Sequence, residues 1–328
     1  MKILIAGLGS IGRRHLRNLK ALGVEELFLY RTHQSTLPDE DLAPYPVFNT
    51  LQKALDQKPA AVVISNPTSL HLDVAVPAAR SGCHLFLEKP ISHSLDGIDT
   101  LQTVVEIAGI QVMGGYQFRF HPGLNIVHKL LVDKAIGKPI SVQAHWGEYL
   151  PGWHPWEDFR KAYAARADLG GGVIRPLCHP LDYLRWLMGD VRSVAAVTSA
   201  QGLELDVEDT ADINLRFVNE ITGSVHLDYI QRPSQHTLRI IGSQGTIFWD
   251  NADGAVKVYQ PETQPEAKIY PVPNGFERNS MFLSQMEHFL AVVRGEQNPL
   301  CTLEDGIQAL RFIQACYQSS NSGQFVEI

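Results

Sequence analysis

The apolar run Lys2-Ile3-Leu4-Ile5-Ala6 leads directly into Gly7-Leu8-Gly9-Ser10-Ile11-Gly12, and this junction limits the fold more than any other stretch of the chain. A run of strand length that stops on glycines, followed by Ile11, Leu16, Leu19 and Leu22 at helical spacing and a stop at Gly23, reads as strand, turn, helix. Each glycine has its own reason. The first permits the tight turn, the second lets backbone amides approach a pyrophosphate, and the third lets helix and strand pack closely. The helix N-terminus adds unpaired N–H groups and partial positive charge, both suited to phosphate. Gly7, Gly9, Ser10, Ile11 and Gly12 are therefore candidate cofactor-binding residues. The competing reading, glycines that merely permit a turn, does not account for the strands and helices that follow.

Those elements alternate. Short apolar runs at residues 27–30, 47–48, 60–65, 85–87 and 110–113 are separated by helical patterns at 51–56, 70–81 and 95–108, which predicts a parallel sheet with helices on both faces. Beyond about residue 120 the period changes to two. Ile213, Leu215 and Phe217 alternate with polar residues, as do Val225, Leu227 and Tyr229, with a hairpin turn predicted over 219–223. Further strands are expected at 141–148, 192–198, 237–241, 246–249 and 256–259, and helices at 124–131, 177–187, 281–294 and 303–318. The expected fold class is α/β. An N-terminal Rossmann dinucleotide-binding domain spans residues 1–120, and a C-terminal α+β domain with a large, mostly antiparallel open sheet spans 121–328.

Charge and cysteine content narrow the partners. Twenty-eight Lys+Arg against 35 Asp+Glu leave a net charge of −7, and the longest basic run is Arg13-Arg14, so neither nucleic acid nor an anionic membrane is expected. The four cysteines, Cys83, Cys178, Cys301 and Cys316, include no C-x-x-C pair, which fits a reducing, cytoplasmic location. There is no stretch of 18 apolar residues for a membrane span, and Gly7, Gly9 and Arg13-Arg14 interrupt any secretory signal. His154, Cys178 and His179 lack the spacing of a structural zinc site, so no metal is expected.

The cofactor is expected to be NAD(P). Where an NAD site usually places an acidic residue, after the second strand, the chain has Tyr30-Arg31-Thr32. Arg31 can pair with a 2′-phosphate, which leans the choice to NADP; stacking on adenine or a solvated surface position are the alternatives. Glu88-Lys89-Pro90 ends the fifth strand, where ligands of doubly wound sheets bind, and Gly170-Gly171-Gly172 precedes His179 and Asp182 in the second half. Residues 153–166 carry Trp153, His154, Trp156, Glu157, Asp158, Arg160, Tyr163 and Arg166, either a sugar-binding loop or an amphipathic connector.

These motifs, taken in order with Arg14, His15, Asn66-Pro67-Thr68, His71 and Gly115-Tyr116-Gln117-Phe118-Arg119, resemble the Gfo/Idh/MocA oxidoreductases, which act mainly on sugars, sugar derivatives and cyclitols. The resemblance implies a homodimer or homotetramer assembled through the C-terminal sheet. It adds Asn66, Pro67, His71, Glu88, Lys89 and Gln117 to the cofactor site, gives Lys89 a hydrogen bond to the reacting hydroxyl, and makes His179 the general acid/base. The chemistry agrees: as hydride leaves carbon a proton must leave oxygen, a histidine can accept it, and an ammonium stabilises the developing alkoxide. Many members carry an aspartate four residues before the histidine; this chain has Arg175, followed by Pro176. Arg175 either grips an anionic substrate such as a uronate or nucleotide sugar, or pairs with Asp168 or Asp182. Tyr163 is the candidate second acid in place of the missing carboxylate, and the substrate set is Arg119, Trp156, Arg160, Tyr163, Arg175 and His179, with specificity expected from a cluster of Arg160, Arg166 and Arg175. The expected reaction is hydride transfer between nicotinamide and a secondary hydroxyl or ketone of a sugar, sugar acid, cyclitol or nucleotide sugar. A glycosidase using transient oxidation and a non-catalytic cofactor sensor are the alternatives; retention of both Lys89 and His179 disfavours the sensor.

Overall fold

The computed structural model describes residues 1–32, 42–260 and 264–328. The chain divides into two units: Met1–Gln117 with Glu277–Leu310, and Phe118–Phe276 with Arg311–Ile328.

In the first unit the apolar runs become a six-stranded parallel sheet, formed by β1 (Ile3–Ala6), β2 (Leu27–Tyr30), β3 (Val47–Phe48), β4 (Ala61–Ile64), β5 (His84–Leu87) and β6 (Val112–Gly114). Its order is β3-β2-β1-β4-β5-β6, so the chain reverses direction across the sheet between β1 and β4. Every residue of these two central strands is fully buried, as continuous apolar strands covered on both faces should be. Helices α1 (Ser10–Ala21), α2 (Leu51–Leu55), α3 (His71–Arg80) and α4 (Ile98–Ala108) connect the strands. The helix predicted from residue 95 starts instead after Gly97, whose φ of +80° is a left-handed conformation that glycine adopts without strain.

The second unit contains α5 (Pro122–Val132), α6 (His179–Met188) and a nine-stranded sheet. Its strands are β7 (Pro139–Tyr149), β8 (Val191–Ser199), β9 (Thr210–Phe217), β10 (Thr222–Asp228), β11 (Ile230–Gly242), β12 (Thr246–Asp250), β13 (Val256–Gln260), β14 (Gln264–Tyr270) and β15 (Val326–Glu327). Neighbours are antiparallel except β7 and β10, which run parallel. The alternation read from the sequence sorts the faces: Val142, Ala144 and Trp146 of β7, with Val225 and Leu227 of β10, are buried, while Gln143, Asn214, Arg216 and Val197 are exposed on the other side.

Three features depart from the sequence reading. Strands β14 and β15 are additional. Strand β11 begins at Ile230 rather than 237; Pro233, which marks a break in sequence, is carried by a register shift between Ile230 and Gln235. The boundary predicted at 120 is not a single cut, because α7 (Arg278–Val293) returns to the first unit. There Phe282 lies edge-on to His15 and Phe289 edge-on to Phe86, and the Asn18 and Asn279 amides bond each other at 3.0 Å. Helix α8 (Leu303–Ser322) runs through the division at Leu310.

The second unit's core is rich in histidine. His236 stacks on Trp146 with ring centroids 4.4 Å apart, and His121 meets Trp249 at 5.1 Å. Burial pushes His121 down to about 4 and drives His236 and His71 in the same direction from their ordinary value of 6.5. Between those values the unfolded chain binds more protons than the folded one, so stability that is complete above pH 6.5 is lost as pH falls toward 4. The denaturant midpoint should drop between pH 7 and pH 5; a midpoint that is level or higher at pH 5 contradicts this burial.

Candidate functional site

The glycine loop follows β1 at the point where the strand order reverses. Gly7 has φ +91°, and a Cβ there would lie 2.3 Å from the Asn66 amide nitrogen, so only glycine lets the chain pass the end of β4. A Cβ on Gly12 would lie 2.0 Å from the Gly7 carbonyl oxygen, whereas one on Gly9 would meet nothing within 4 Å. The first and third glycines thus serve packing, and the second leaves open ground at the start of α1. No side chain caps that helix and its first turn has no acidic residue, so its terminal N–H groups are suited to an anion. Asn66 Oδ1 and Gln117 Oε1 are buried without a hydrogen-bond partner, as acceptors awaiting a ligand's hydroxyl or amide would be. The residues present therefore fit a dinucleotide.

His71 and Glu88, expected at the cofactor, use their polar atoms within the protein. His71 Nε2 faces the Asn66 carbonyl at 3.0 Å and Nδ1 faces that of Ile91 at 3.3 Å, which secures the Asn66-Pro67 turn. Glu88 is 7% exposed; its Oε1 lies 2.7 Å from His15 Nε2 on α1, and its Oε2 accepts from the Lys89 amide at 3.1 Å. Burial alone would raise the Glu88 carboxyl, but the His15 hydrogen bond and charge, together with Lys89, hold it below the usual carboxylate range. Gly115 makes room for it, since a Cβ there would be 2.9 Å from Glu88 Cα. The clamp fixes the backbone that presents half-buried Lys89 just beyond β5. Arg31 follows β2 and is only 6% exposed, which excludes the solvated alternative.

In the second unit His179 is the first residue of α6, 1% exposed, with its ring stacked against Trp146 at 5.6 Å. The triple glycine before it is tightly packed. A Cβ on Gly171 would lie 2.6 Å from the Tyr163 carbonyl oxygen, and one on Gly172, at φ +102°, would lie 2.4 Å from both Glu208 carboxylate oxygens. Residues 150–169 carry four short 3-10 turns, at Leu150–Gly152, Phe159–Lys161, Tyr163–Ala165 and Ala167–Leu169, and no longer helix.

Family models match nearly the whole chain: an oxidoreductase-family NAD-binding Rossmann fold over residues 1–116 and the C-terminal alpha/beta domain of the same family over 128–328. The chain belongs to the Gfo/Idh/MocA oxidoreductase family. Among its relatives is the myo-inositol 2-dehydrogenase of Thermotoga maritima, 25% identical, with all of this chain and 98% of that protein covered. Among solved structures, a levoglucosan dehydrogenase in complex with NADH superimposes with a TM-score of 0.87 at 19% identity, covering 100% of this chain and 99% of that one. The WlbA dehydrogenase of Bordetella pertussis, in complex with NADH and UDP-GlcNAcA, has a TM-score of 0.83 at 22% identity, covering 100% and 98%.

Against this family background the arginines sort differently from the sequence reading. Asp182 is held by Arg119 through two bonds of 2.7 and 3.0 Å, both residues being buried, so the Arg119 fork expected for substrate faces a carboxylate of the protein. Asp168 is held by Arg166. Neither aspartate is the partner of Arg175, which donates to the Gly171 carbonyl at 3.2 Å and lies 4.5 Å from the centre of the Tyr317 ring. Arg160 is exposed and sits over Phe159, and Trp156 is 62% exposed, so Arg160, Arg166 and Arg175 are held by different partners rather than as one cluster. Glu208 and Tyr317 escaped the sequence reading. Tyr317 donates to Glu208 at 2.6 Å, and burial outweighs that bond and the Arg175 charge, leaving the Glu208 carboxyl above its ordinary range. In sequence Glu208 is one of four acids among residues 204–209, with no signal that it closes on Gly172.

The glycine geometry separates two substitutions. Gly9→Ala, at φ −71° in open space, should keep stability within about 0.5 kcal/mol yet weaken dinucleotide binding in isothermal titration. Gly12→Ala should destabilise by about 1–3 kcal/mol through overpacking, read as a lower thermal midpoint. Equal effects of the two on stability would contradict these roles.

Proposed function

We propose that the protein transfers hydride between a nicotinamide dinucleotide and a secondary hydroxyl or ketone of a sugar-like substrate. The observation that carries this is the brace in the first unit: buried Glu88 bonds His15 on the glycine-loop helix and the amide of Lys89, joining the dinucleotide loop to a lysine at the carboxyl end of β5. The dinucleotide, when bound, accepts or supplies the hydride. Lys89 donates to the reacting oxygen and stabilises negative charge as it develops. His179 takes the hydroxyl proton in oxidation and returns it in reduction, and Tyr163 is the auxiliary acid. Named relatives such as the myo-inositol dehydrogenase favour a cyclitol or sugar.

Arg175 favours an anionic member of that class. Its Nε is buried without a hydrogen-bond partner although Nη1 and the face of the guanidinium are occupied. An arginine donor left open suits a carboxylate or phosphate. The structural neighbour bound to UDP-GlcNAcA shows such a ligand on this fold. Arg31, buried after a strand that ends without a carboxylate, favours NADP(H).

Purified protein assayed with NAD and NADP against sugars, sugar acids, cyclitols and nucleotide sugars should reduce the nicotinamide, with a lower KM for the phosphorylated cofactor. Lys89→Ala and His179→Ala should each lower kcat by about 10²- to 10⁴-fold while cofactor titration remains normal. Full activity in either variant overturns the assignment. Arg175→Ala should raise KM for the best anionic substrate by about ten- to a hundredfold, the value of a hydrogen bond to a charged group, and leave neutral sugars little affected.

A further inference from the structure

We propose that the outward face of the nine-stranded sheet binds one divalent transition-metal ion through His145, His226 and Asp228. This site lies across the sheet from His179: Trp146, which stacks on His179, is buried on one face, and its neighbour His145 is half-buried on the other. Strands β7 and β10 run parallel and place His145 directly beside His226, with Asp228 two residues on and on the same face. One nitrogen of each ring and one Asp228 oxygen lie within 4.8 Å of one another. His226 Nε2 and Asp228 Oδ2 are already 3.3 Å apart, close to the separation of two ligands on one tetrahedral ion.

The surroundings orient each donor. Asp212 on β9 lies 2.7 Å from His226 Nδ1, the carboxylate partner that turns the other ring nitrogen toward a metal. Asp228 Oδ1 accepts from the Ile230 and Gln231 amides at 2.8 and 2.6 Å, so Oδ2 is the oxygen turned to the histidine. Gln231 Oε1 holds the His145 ring at 2.6 Å from Nε2. Gly147 makes room for these side chains: a Cβ there would stand 2.1 Å from Gln231 Oε1 and 2.2 Å from Asp228 Oδ2. Two imidazoles and one carboxylate suit Zn(II), Co(II) or Ni(II) better than Mg(II) or Ca(II), and three protein ligands leave a position for water.

A proton competes for this space. Hydrogen bonds that His226 donates to Asp228 and Asp212 outweigh burial and push it up to about 9, so a metal would enter by displacing that proton to solvent. The test is titration of chelator-treated, full-length protein with ZnCl2 and with CoCl2, followed by calorimetry and, for cobalt, by visible absorption. The expected result is one ion per chain, lost in His145→Gln and in His226→Gln, with Asp212→Asn weakening binding by about ten- to a hundredfold while every ligand remains. His145→Gln keeps the strand polar and half-buried, so the comparison does not depend on Asp228, whose Oδ1 also holds the following turn. No binding at millimolar metal, or binding unchanged in both histidine variants, overturns the proposal and leaves His226 as an imidazolium between two carboxylates.

Discussion

The bond between His15 and Glu88 is the constraint on which the first unit's chemistry depends. It is 2.7 Å long, His15 is fully buried, and it joins the helix that the glycine loop opens to the strand end that presents Lys89. Removing one partner would strand a buried polar or charged group at a cost of about 3–5 kcal/mol. The surroundings are arranged to keep it: Gly115 yields space beside Glu88, and Phe86 and Phe282 of α7 both lie edge-on to His15, at 5.1 and 6.2 Å. This dependence explains why α7, far along the chain, belongs to the first unit.

The second unit follows the same principle with different groups. Two glycines, Gly171 and Gly172, let residues 163–166 and Glu208 approach the backbone before His179 more closely than any side chain would permit. Tyr229 donates to the Gly172 carbonyl at 3.0 Å, and the Val173 amide donates to the Glu208 carbonyl at 2.9 Å, so the turn is tied to both sides. Rigid support of this kind holds a proton-transfer residue within the narrow geometry that catalysis needs. Arg175 sits in this frame against Tyr317 and near Glu208, a position quite different from that of a surface arginine.

Much of the architecture was legible because it rests on local periodicity. Strands β1, β2, β4 and β5, the helices α1, α3 and α4, and the alternating strands of the second unit follow from apolar spacing of two or 3.6 residues. The start of β11 at Ile230 is not legible in the same way, because that part of the strand carries Pro233 and pairs only through a register shift between Ile230 and Gln235. Of the two readings of Arg175, pairing with Asp168 or Asp182 is not what the structure shows, for a related reason: those aspartates are near in sequence, whereas the ring that meets Arg175 is Tyr317 from α8, itself bonded to Glu208.

The sequence by itself determined the class of fold, the position of the dinucleotide loop and the identity of Lys89 and His179 as candidates, because glycine spacing, hydrophobic period and motif order are all properties of neighbouring residues. Only the tertiary structure decided that His71 and Glu88 brace the loop rather than face outward, that α7 returns to the first unit, and that His145, His226 and Asp228 share one face of the sheet. The physical reason is sequence separation. A carboxylate's role depends on which partner reaches it, and strands and helices far apart in the chain bring that partner.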